Sequence, residues 1–307
     1  MLRIGRAPAK LNLALELTSR RPDGYHELSA ISQTIEWSDV VVVEAETLQT
    51  APRPAVPELQ VWGPEAHRVP LGPDNLAVRA AMLLRAQGVG SAITRIALEK
   101  RIPTQSGLGG GSADAAAVLR LAGAEAGPSQ LGQIALACGA DVPFGLRGGA
   151  CHLTGIGELL TPLPPIGAGA FLIVVLGSVP TATAYSATEP SDFSSGDRVA
   201  QLRELLLKGS PLDSELFGSG LQPAALRTTP ALARRLDALA RASSGVSWAM
   251  TGSGGAFFSY HANGKEAAQL AREVAPACPQ MTVRVALPLA RDDGWSGALG
   301  NRHAGGY

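Results

Sequence analysis

The stretch that most constrains the fold runs over residues 101–123 and reads RIPTQSGLGGGSADAAAVLRLAG. A strand-like run at residues 93–98 precedes it, and an alanine-rich helix is predicted over residues 113–121. Between them lie four glycines within five residues, followed by Ser112. Glycines let backbone N–H groups approach an anion closely, and a helix N-terminus adds unpaired N–H groups and a positive dipole end. This order favours a phosphate-binding loop, with Ser112 as N-cap or as a contact for a phosphate or its metal.

Two better-known phosphate-binding patterns are not met by this loop. The Walker pattern requires a lysine before the hydroxyl residue, whereas Ser112 follows Gly111 directly. The Rossmann pattern requires an acidic residue about 20 positions further on, and none stands there at the end of a second strand. On these residues alone, a glycine-rich turn before a helix remains an alternative to a phosphate site.

Composition narrows the kind of partner. The chain has 307 residues, of which 46% are hydrophobic, enough for two domains with packed cores. Lys plus Arg and Asp plus Glu both number 26, so neither nucleic acid nor a membrane surface is expected as a partner. Three scattered cysteines without a C-x-x-C pair, and no visible signal-peptide pattern, favour a cytoplasmic protein with reduced thiols. A Pro- and Gly-rich segment suggests a boundary between domains at 1–162 and 163–307.

Several polar residues stand in unusual local patterns, and each has a simple structural alternative. Lys10 lies at the junction of two predicted strands and would ordinarily be a solvated charge. Asp141, in GADVPF, would ordinarily cap a helix or face solvent. Asp74 or Asn75 is expected to cap a helix over residues 76–86. The Pro-Asp-Gly turn before Tyr25 and His26 places both at the exit of a turn, where a packed Tyr and a surface His are the plain interpretation.

Four phrases, in family order, resemble the GHMP kinases, which include galactokinase and the homoserine and mevalonate kinases. Residues 103–116 (PTQSGLGGGSADAA) match the second family motif, and residues 248–258 (WAMTGSGGAFF) match the third. Residues 7–15 (APAKLNLAL) and 21–28 (RPDGYHEL) resemble the branch that phosphorylates a cytidyl-diphosphate sugar alcohol, a small molecule. The resemblance implies an α+β fold of two domains, the first similar to domain 2 of ribosomal protein S5 and the second ferredoxin-like. The substrate would lie in the cleft between them.

The resemblance also implies roles for individual residues. ATP would be the phosphate donor, Asp141 the base, and Lys10 the group that holds the acceptor hydroxyl. The residues expected to bind ATP are Asn75, Lys100, Pro103, Ser106, Gly107, Leu108, Gly109, Gly110, Gly111 and Ser112. The residues expected to bind the acceptor are Asn12, Tyr25, His26, Thr181, Tyr185, Gly252 and Ser253. ATP implies Mg²⁺, but no dense acidic cluster identifies its ligands.

Three alternatives of different classes remain open at this point. Another small-molecule GHMP kinase, of the homoserine or mevalonate type, is disfavoured by the Asp-Gly-Tyr-His phrase. A catalytically silent sensor with this fold is disfavoured by Lys10 and Asp141, and a nucleic-acid-binding S5-like module by the balanced charge. One departure from the family is the entrance of the glycine loop, where Thr104, Gln105 and Ser106 replace a glycine-richer segment.

Overall fold

The computed structural model describes residues 1–46, 56–89, 92–123, 126–279 and 281–290. Pro and Ala residues at 49–57 predict a surface loop, and the Gly-rich residues 292–307 predict a weakly ordered tail. The loop lies outside the described part of the chain except for its last two residues, and the tail lies wholly outside it. Within the described ranges the chain forms two β-sheets covered by helices, which confirms the α+β prediction. No described helix is both long and apolar enough to cross a membrane.

The first sheet is built mainly from the first half of the chain. Its strands are β1 (Leu2–Arg20), β2 (His26–Glu46), β3 (Glu58–Trp62), β4 (Ala92–Glu99), β5 (Ala150–Thr154) and β6 (Leu159–Leu163). The helices of this half are α1 (Leu76–Ala86), α2 (Gly110–Ala122), α3 (Pro128–Cys138) and α4 (Val142–Arg147). Apolar side chains of α1, α2 and α3 form one core with those of β1, β2 and β4. This helical layer places the glycine loop, which leads from β4 to α2, at one edge of the sheet.

The second sheet comes from the second half of the chain. Its strands are β7 (Ala170–Val175), β9 (Ala249–Met250), β10 (Ala256–His261) and β11 (Thr282–Ala286). They are ordered β11-β7-β10-β9 and all neighbours are antiparallel, which is a ferredoxin-like arrangement once helices are placed after the first and third of these strands. The helices of this half are α5 (Thr181–Ser186), α6 (Asp197–Lys208), α7 (Gln222–Thr228), α8 (Pro230–Ala242) and α9 (Gly264–Val274).

The two halves are joined through β1. The short strand β8 (Gly218–Ser219) belongs to the second half but pairs in parallel with β1 of the first sheet. Leu11 and Leu13 of β1 share a core with Phe171 and Ile173 of β7. The predicted domain boundary between residues 162 and 163 falls at the end of β6 and stays a prediction.

Strand β1 differs from the sequence prediction in two ways. Two strands separated by a junction were expected, but one strand runs through, with a shift of register between Pro8 and Lys10. Proline has no N–H to donate, so the pairing is interrupted there, and the N–H of Lys10 bonds the Leu108 carbonyl at 3.0 Å. Leucine at every second position over residues 11–17 predicts a half-buried strand, and this prediction is wrong, because residues 7–17 are all buried. The second half of the chain covers the face that was expected to meet water.

Candidate active site

A cavity of about 380 Å³ lies between the glycine loop, β1 and the second half of the chain. It brings together nearly all of the residues predicted to form a site. Those that line it are Lys10, Asn12, Asn75, Lys100, Pro103, Ser106, Gly107, Gly109, Gly110, Gly111, Ser112, Asp141, Thr181, Tyr185, Gly252 and Ser253. Leu108, Tyr25 and His26 do not line it. Leu108 is fully buried in the core, and only its carbonyl serves the site, through Lys10.

The glycine loop ends in a helix that starts earlier than predicted. Helix α2 begins at Gly110, and its N-cap is Gly109 in the left-handed conformation, with φ of 70°. Ser112 is therefore the third residue of the helix, and the N-cap role predicted for it is wrong. The N–H groups of the first helical turn have no acceptor within the helix, and residues 110–112 line the cavity. Together these N–H groups and the positive end of the helix dipole can hold an anion.

The loop is fixed from the other side by the third glycine-rich motif. Gly107 has φ of 82°, and an added Cβ would lie 2.1 Å from the carbonyl oxygen of Thr251. The N–H of Ala256 donates to the Ser106 carbonyl at 2.9 Å. Glycines in this motif predict that its backbone lies very close to another group. In the structure that group is the backbone of the glycine loop. Beside it, the hydroxyls of Thr181 and Ser253 lie 3.1 Å apart in the cavity wall.

The entrance of the glycine loop, residues 104–106, contains one residue in an unfavourable backbone conformation. Gln105 has φ of 53° and is the only non-glycine residue in the described ranges with positive φ. A left-handed conformation costs a residue with a Cβ roughly 1–2 kcal/mol. The Gln105 carbonyl accepts a hydrogen bond of 2.8 Å from the Val179 N–H, which ties this turn to the second half of the chain. This hydrogen bond helps to hold Gln105 in a conformation that a residue of the glycine-richer segment would adopt at less cost.

Lys10 and Asp141 meet at the mouth of the loop. Their Nζ and Oδ1 atoms lie 2.8 Å apart, although 131 residues separate them in sequence. Lys10 is only 8% exposed, so it is not the solvated charge of the simple alternative. Asp141 occupies the N-cap position of α4, but its side chain bonds no N–H of that helix. Its carboxylate, 42% exposed, faces Lys10 and the cavity instead.

A buried ion cluster lies beneath the loop. The ammonium of Lys100 donates to the carboxylates of Asp39 and Asp114, the latter at 2.6 Å. Burial raises the pKa of Asp114 to about 8, and Asp39 adds to the rise although Lys100 opposes it. Asp39 also accepts hydrogen bonds from the N–H groups of Arg101 and Ile102 at the start of the loop. Sequence reasoning missed both aspartates. No local pattern links Asp39, on β2, to the loop, and none indicates that Asp114, on α2, pairs with Lys100.

Asn12 and Asn75 are polar groups in the cavity wall. Of the two residues predicted to cap α1, Asn75 does so: its Oδ1 accepts from the Ala77 N–H at 2.9 Å. Asn12 donates from Nδ2 to the Ser32 hydroxyl at 2.8 Å, while its buried Oδ1 has no hydrogen-bond partner in the described part of the chain. An unpaired buried acceptor is costly, so Asn12 Oδ1 is suited to receive a donor from a ligand.

We call the part of the cavity beside Tyr185 its aromatic end, and Tyr185 is the one aromatic residue of the described chain that lines the cavity. Tyr185 of α5 lines the cavity, and burial, with the charge of Asp141, raises the pKa of its hydroxyl. His26 is 6% exposed and packs against the second half, with its ring 5.3 Å from Tyr185 and stacked on Phe193 at 5.7 Å. Burial lowers the pKa of His26, and Arg20 adds to this effect. Tyr25, by contrast, is 60% exposed.

The fold, the glycine loop and the lysine–aspartate pair define a kinase of the GHMP class. Residues 75–149 match the model of the GHMP kinase N-terminal domain. Solved structures of this class with low sequence identity share the fold: a homoserine kinase from Cytophaga hutchinsonii, 18% identical, superposes with a TM-score of 0.68 over 95% of this chain and 96% of its own.

Proteins with higher sequence identity show to which family within the GHMP class this chain belongs. A protein of Thermus thermophilus named 4-diphosphocytidyl-2-C-methyl-D-erythritol kinase is 38% identical over 97% of both chains. One of Polaromonas sp. with the same name is 39% identical over 82% of this chain and 81% of its own. A crystal structure of 4-(cytidine 5'-diphospho)-2C-methyl-D-erythritol kinase, 34% identical, superposes with a TM-score of 0.70 over 92% of this chain and 98% of that one. The chain belongs to this family of kinases, phosphotransferases that act on an alcohol.

Proposed function

We propose that this protein transfers the γ-phosphate of ATP to the 2-hydroxyl of 4-diphosphocytidyl-2-C-methyl-D-erythritol, a step of the non-mevalonate route to isoprenoid precursors in the cytoplasm. The observation that carries the proposal is the ion pair of Lys10 and Asp141, which stands in one cavity with the glycine loop. The names of the similar proteins supply the acceptor, and the cavity supplies groups that suit it.

Asp141 is the base in this proposal. The acceptor is a tertiary alcohol, a poor nucleophile, so its attack needs proton removal and exact positioning. The hydroxyl oxygen forms a bond to the γ-phosphorus, the bond from that phosphorus to the β–γ bridging oxygen breaks, ADP leaves, and the hydroxyl proton passes to Asp141. Lys10 lies within hydrogen-bond distance of Asp141 and holds the hydroxyl beside it, while its charge stabilises the developing negative charge.

The glycine loop and the first turn of α2 hold the phosphates of ATP. The unpaired N–H groups of this turn supply fixed donors, and the Ser112 hydroxyl faces the same cavity. In the described ranges no group of three His, Cys, Asp or Glu side chains forms a ready metal site. This donor set fits a magnesium ion held mostly by ATP phosphates and water, with Ser112 as the protein donor. Bound magnesium would neutralise phosphate charge.

The acceptor's cytidyl group is assigned to the aromatic end of the cavity. Tyr185 lines the cavity there and offers a ring for stacking. His26 does not line the cavity, but its ring lies 5.3 Å from that of Tyr185. Tyr25 follows the Pro-Asp-Gly turn, in which Asp23 accepts a hydrogen bond from the Tyr25 N–H at 3.1 Å. Thr181, Ser253 and Asn12 add polar groups along the wall between the two ends.

The test is coupled ADP release with purified protein and three acceptors: the cytidyl substrate, homoserine and mevalonate. We expect turnover with the cytidyl acceptor and at most a small fraction of it with the other two. Turnover mainly with homoserine or mevalonate would identify another GHMP kinase. ATP binding without ADP release on any acceptor would support the silent sensor instead.

A further inference from the structure

Gln105, at the entrance of the glycine loop, has a backbone conformation that a glycine adopts more easily. Its φ of 53° lies in the left-handed region, which a Cβ disfavours, and every other described residue with positive φ is a glycine. Strain of this kind is retained only where the surroundings impose it, and it is concentrated at sites of function. A glutamine at this position therefore needs a reason beyond the turn itself.

The turn does not depend on the glutamine side chain. The Gln105 carbonyl accepts a hydrogen bond of 2.8 Å from the Val179 N–H. The Ser106 hydroxyl donates to the Pro103 carbonyl at 2.6 Å. The Ser106 carbonyl accepts from the Ala256 N–H at 2.9 Å. All three bonds use the backbone of position 105 or atoms of its neighbours, so a glycine at this position would keep them and remove the strain.

The side chain of Gln105 is available to a ligand. Gln105 is exposed and lines the cavity, and within the described chain its carboxamide has no hydrogen-bond partner. Its bond to Val179 places it next to the segment that leads into α5, which supplies Thr181 and Tyr185 to the cavity wall. Gln105 therefore lies on the side of the cavity that we assign to the acceptor.

This side of the cavity offers no free cation in the described chain. The described residues of positive charge that line the cavity are Lys10, Arg68 and Lys100. Both lysines are held by carboxylates of the protein. Arg68 precedes Pro70, whose carbonyl accepts from the side chain of Asn75 at 3.1 Å, at the end that we assign to ATP. An anionic group of the acceptor must therefore be held here mainly by uncharged donors.

Thr181 and Ser253 supply fewer donors to this part of the cavity than their two hydroxyls suggest. Their oxygens lie 3.1 Å apart, so one hydroxyl donates to the other and only one hydrogen remains for a ligand. Gln105 Nε2 carries two hydrogens, whereas a phosphoryl oxygen can only accept. Gln105 thus adds two donors for a phosphate group in this part of the cavity.

We propose that Gln105 is a specificity-determining residue, whose side-chain amide donates a hydrogen bond to the diphosphate of the acceptor. The inference rests on the proposed cytidyl acceptor. In that molecule the diphosphate joins the cytidine to the sugar alcohol, so it lies between the reacting hydroxyl, at Lys10 and Asp141, and the base, at Tyr185. Homoserine and mevalonate carry no diphosphate, so this contact favours the cytidyl acceptor over both.

The first arm of the test uses Gln105→Gly, which removes the side chain and the strain, and Gln105→Glu, which keeps the shape and replaces the donor by a carboxylate. Gln201→Glu, at an exposed glutamine of α6, is the control for charge. We expect the KM for the cytidyl acceptor to rise about 10- to 100-fold in Gln105→Gly, the size of one hydrogen bond to a charged group lost, and at least as much in Gln105→Glu. The KM for ATP stays the same in all three variants, and the urea midpoint of Gln105→Gly rises.

The second arm measures inhibition by cytidine 5'-diphosphate and by cytidine, each competing with the acceptor. In Gln105→Gly the inhibition constant for the diphosphate should rise by a similar factor, whereas that for cytidine, which has no phosphate, should not change. An equal change for both, or no change for either, overturns the proposal. So does a Gln105→Gly protein that is less stable than the wild type, because the side chain would then serve the fold. In each of these cases the proposed function stands, whereas a wild-type protein that does not phosphorylate the cytidyl acceptor removes both proposals together.

Discussion

The two ends of the cavity are built in different ways. The end that we propose to bind phosphate is formed mainly by one continuous stretch, residues 103–112, in which the first N–H groups of α2 have no acceptor within the helix. At the aromatic end, Tyr185 lines the cavity and packs against His26, which lies outside the lining and contacts Thr188 across 162 residues. The first end depends on φ angles and close packing of backbone, and the second on how two halves of the chain meet.

This difference predicts a separation of function between the two ends. Changes at the phosphate end should alter ATP binding or the chemical step for every acceptor. Changes at the aromatic end should alter which acceptor is chosen while ATP binding is kept. Lys10 and Asp141 lie between the two ends. Changes at this pair should affect the transfer step, in which the phosphate donor and the acceptor both take part.

The largest effect is expected at the junction of the two ends. Asp141→Asn keeps the size of the side chain and removes the base, so kcat should fall by roughly two to four orders of magnitude. The dissociation constant for ATP should stay within a few-fold, because the loop is untouched. Steady-state kinetics measures kcat, and nucleotide titration measures the dissociation constant for ATP. Asp237→Asn, an exposed carboxylate of α8, is the control for charge, and near-normal turnover by Asp141→Asn would exclude Asp141 as the base.

Tyr185→Ala should show the next largest effect, and on one substrate only. Loss of a stacked base costs about 1–3 kcal/mol, so kcat/KM for the cytidyl acceptor should fall about 10- to 100-fold. The KM for ATP should not change. Tyr185→Phe keeps the ring and is the matched control. An equal rise of both KM values would break the separation between the two ends.

Tyr25→Ala tests whether a second aromatic ring takes part at this end. Tyr25 is largely exposed, so the variant should fold normally, and stability is not expected to change. If Tyr25 stacks on the bound cytidyl group, its loss weakens the cytidyl acceptor by a similar factor to Tyr185→Ala and leaves ATP binding intact. Wild-type kinetics in Tyr25→Ala would leave Tyr185 as the single stacking ring.

The same difference explains what the sequence could predict. The residues of α1 were predicted with the bounds observed, because its N-cap and periodic apolar face are local signals. The glycine loop could likewise be predicted from a local pattern of consecutive residues. Asp39, Thr188 and Phe193 were missed because their partners lie far along the chain, and only the fold brings them together. The Lys10–Asp141 pair was reached through resemblance to a family, since neither residue type nor spacing joins positions 131 apart.

Gly111→Ala is a smaller change at the phosphate end. It tests whether a bound ligand, and not the protein itself, needs the space beside Gly111. The nearest atom to an added Cβ on Gly111 is Leu76 Cδ1 at 3.8 Å, so Gly111→Ala should fold and gain helix stability. A phosphate drawn close to the N–H groups of this turn would be pushed away, and the dissociation constant for ATP should rise about tenfold. Gly132→Ala in α3, where nothing lies within 4 Å, should stabilise without changing affinity. Unchanged ATP binding in Gly111→Ala would mean that phosphate does not reach this turn.

The last expected effect falls on stability and not on the choice of substrate: a pH dependence that arises beneath the loop. The pKa of Asp114 is about 8 in the folded protein against an ordinary 3.8, so between these values the folded state holds a proton that the unfolded state has lost. The free energy of unfolding must then fall as the pH rises from about 4 to about 8, by at most about 1.4 kcal/mol per pH unit. Asp114→Asn cannot titrate, and its curve should be flatter than that of the wild type. Urea denaturation at several pH values measures the difference in slope, with Asp237→Asn as the surface control. A wild-type curve that ran parallel to that of Asp114→Asn would show that Asp114 holds no extra proton in the folded protein over this range, and the raised pKa of Asp114 would be excluded.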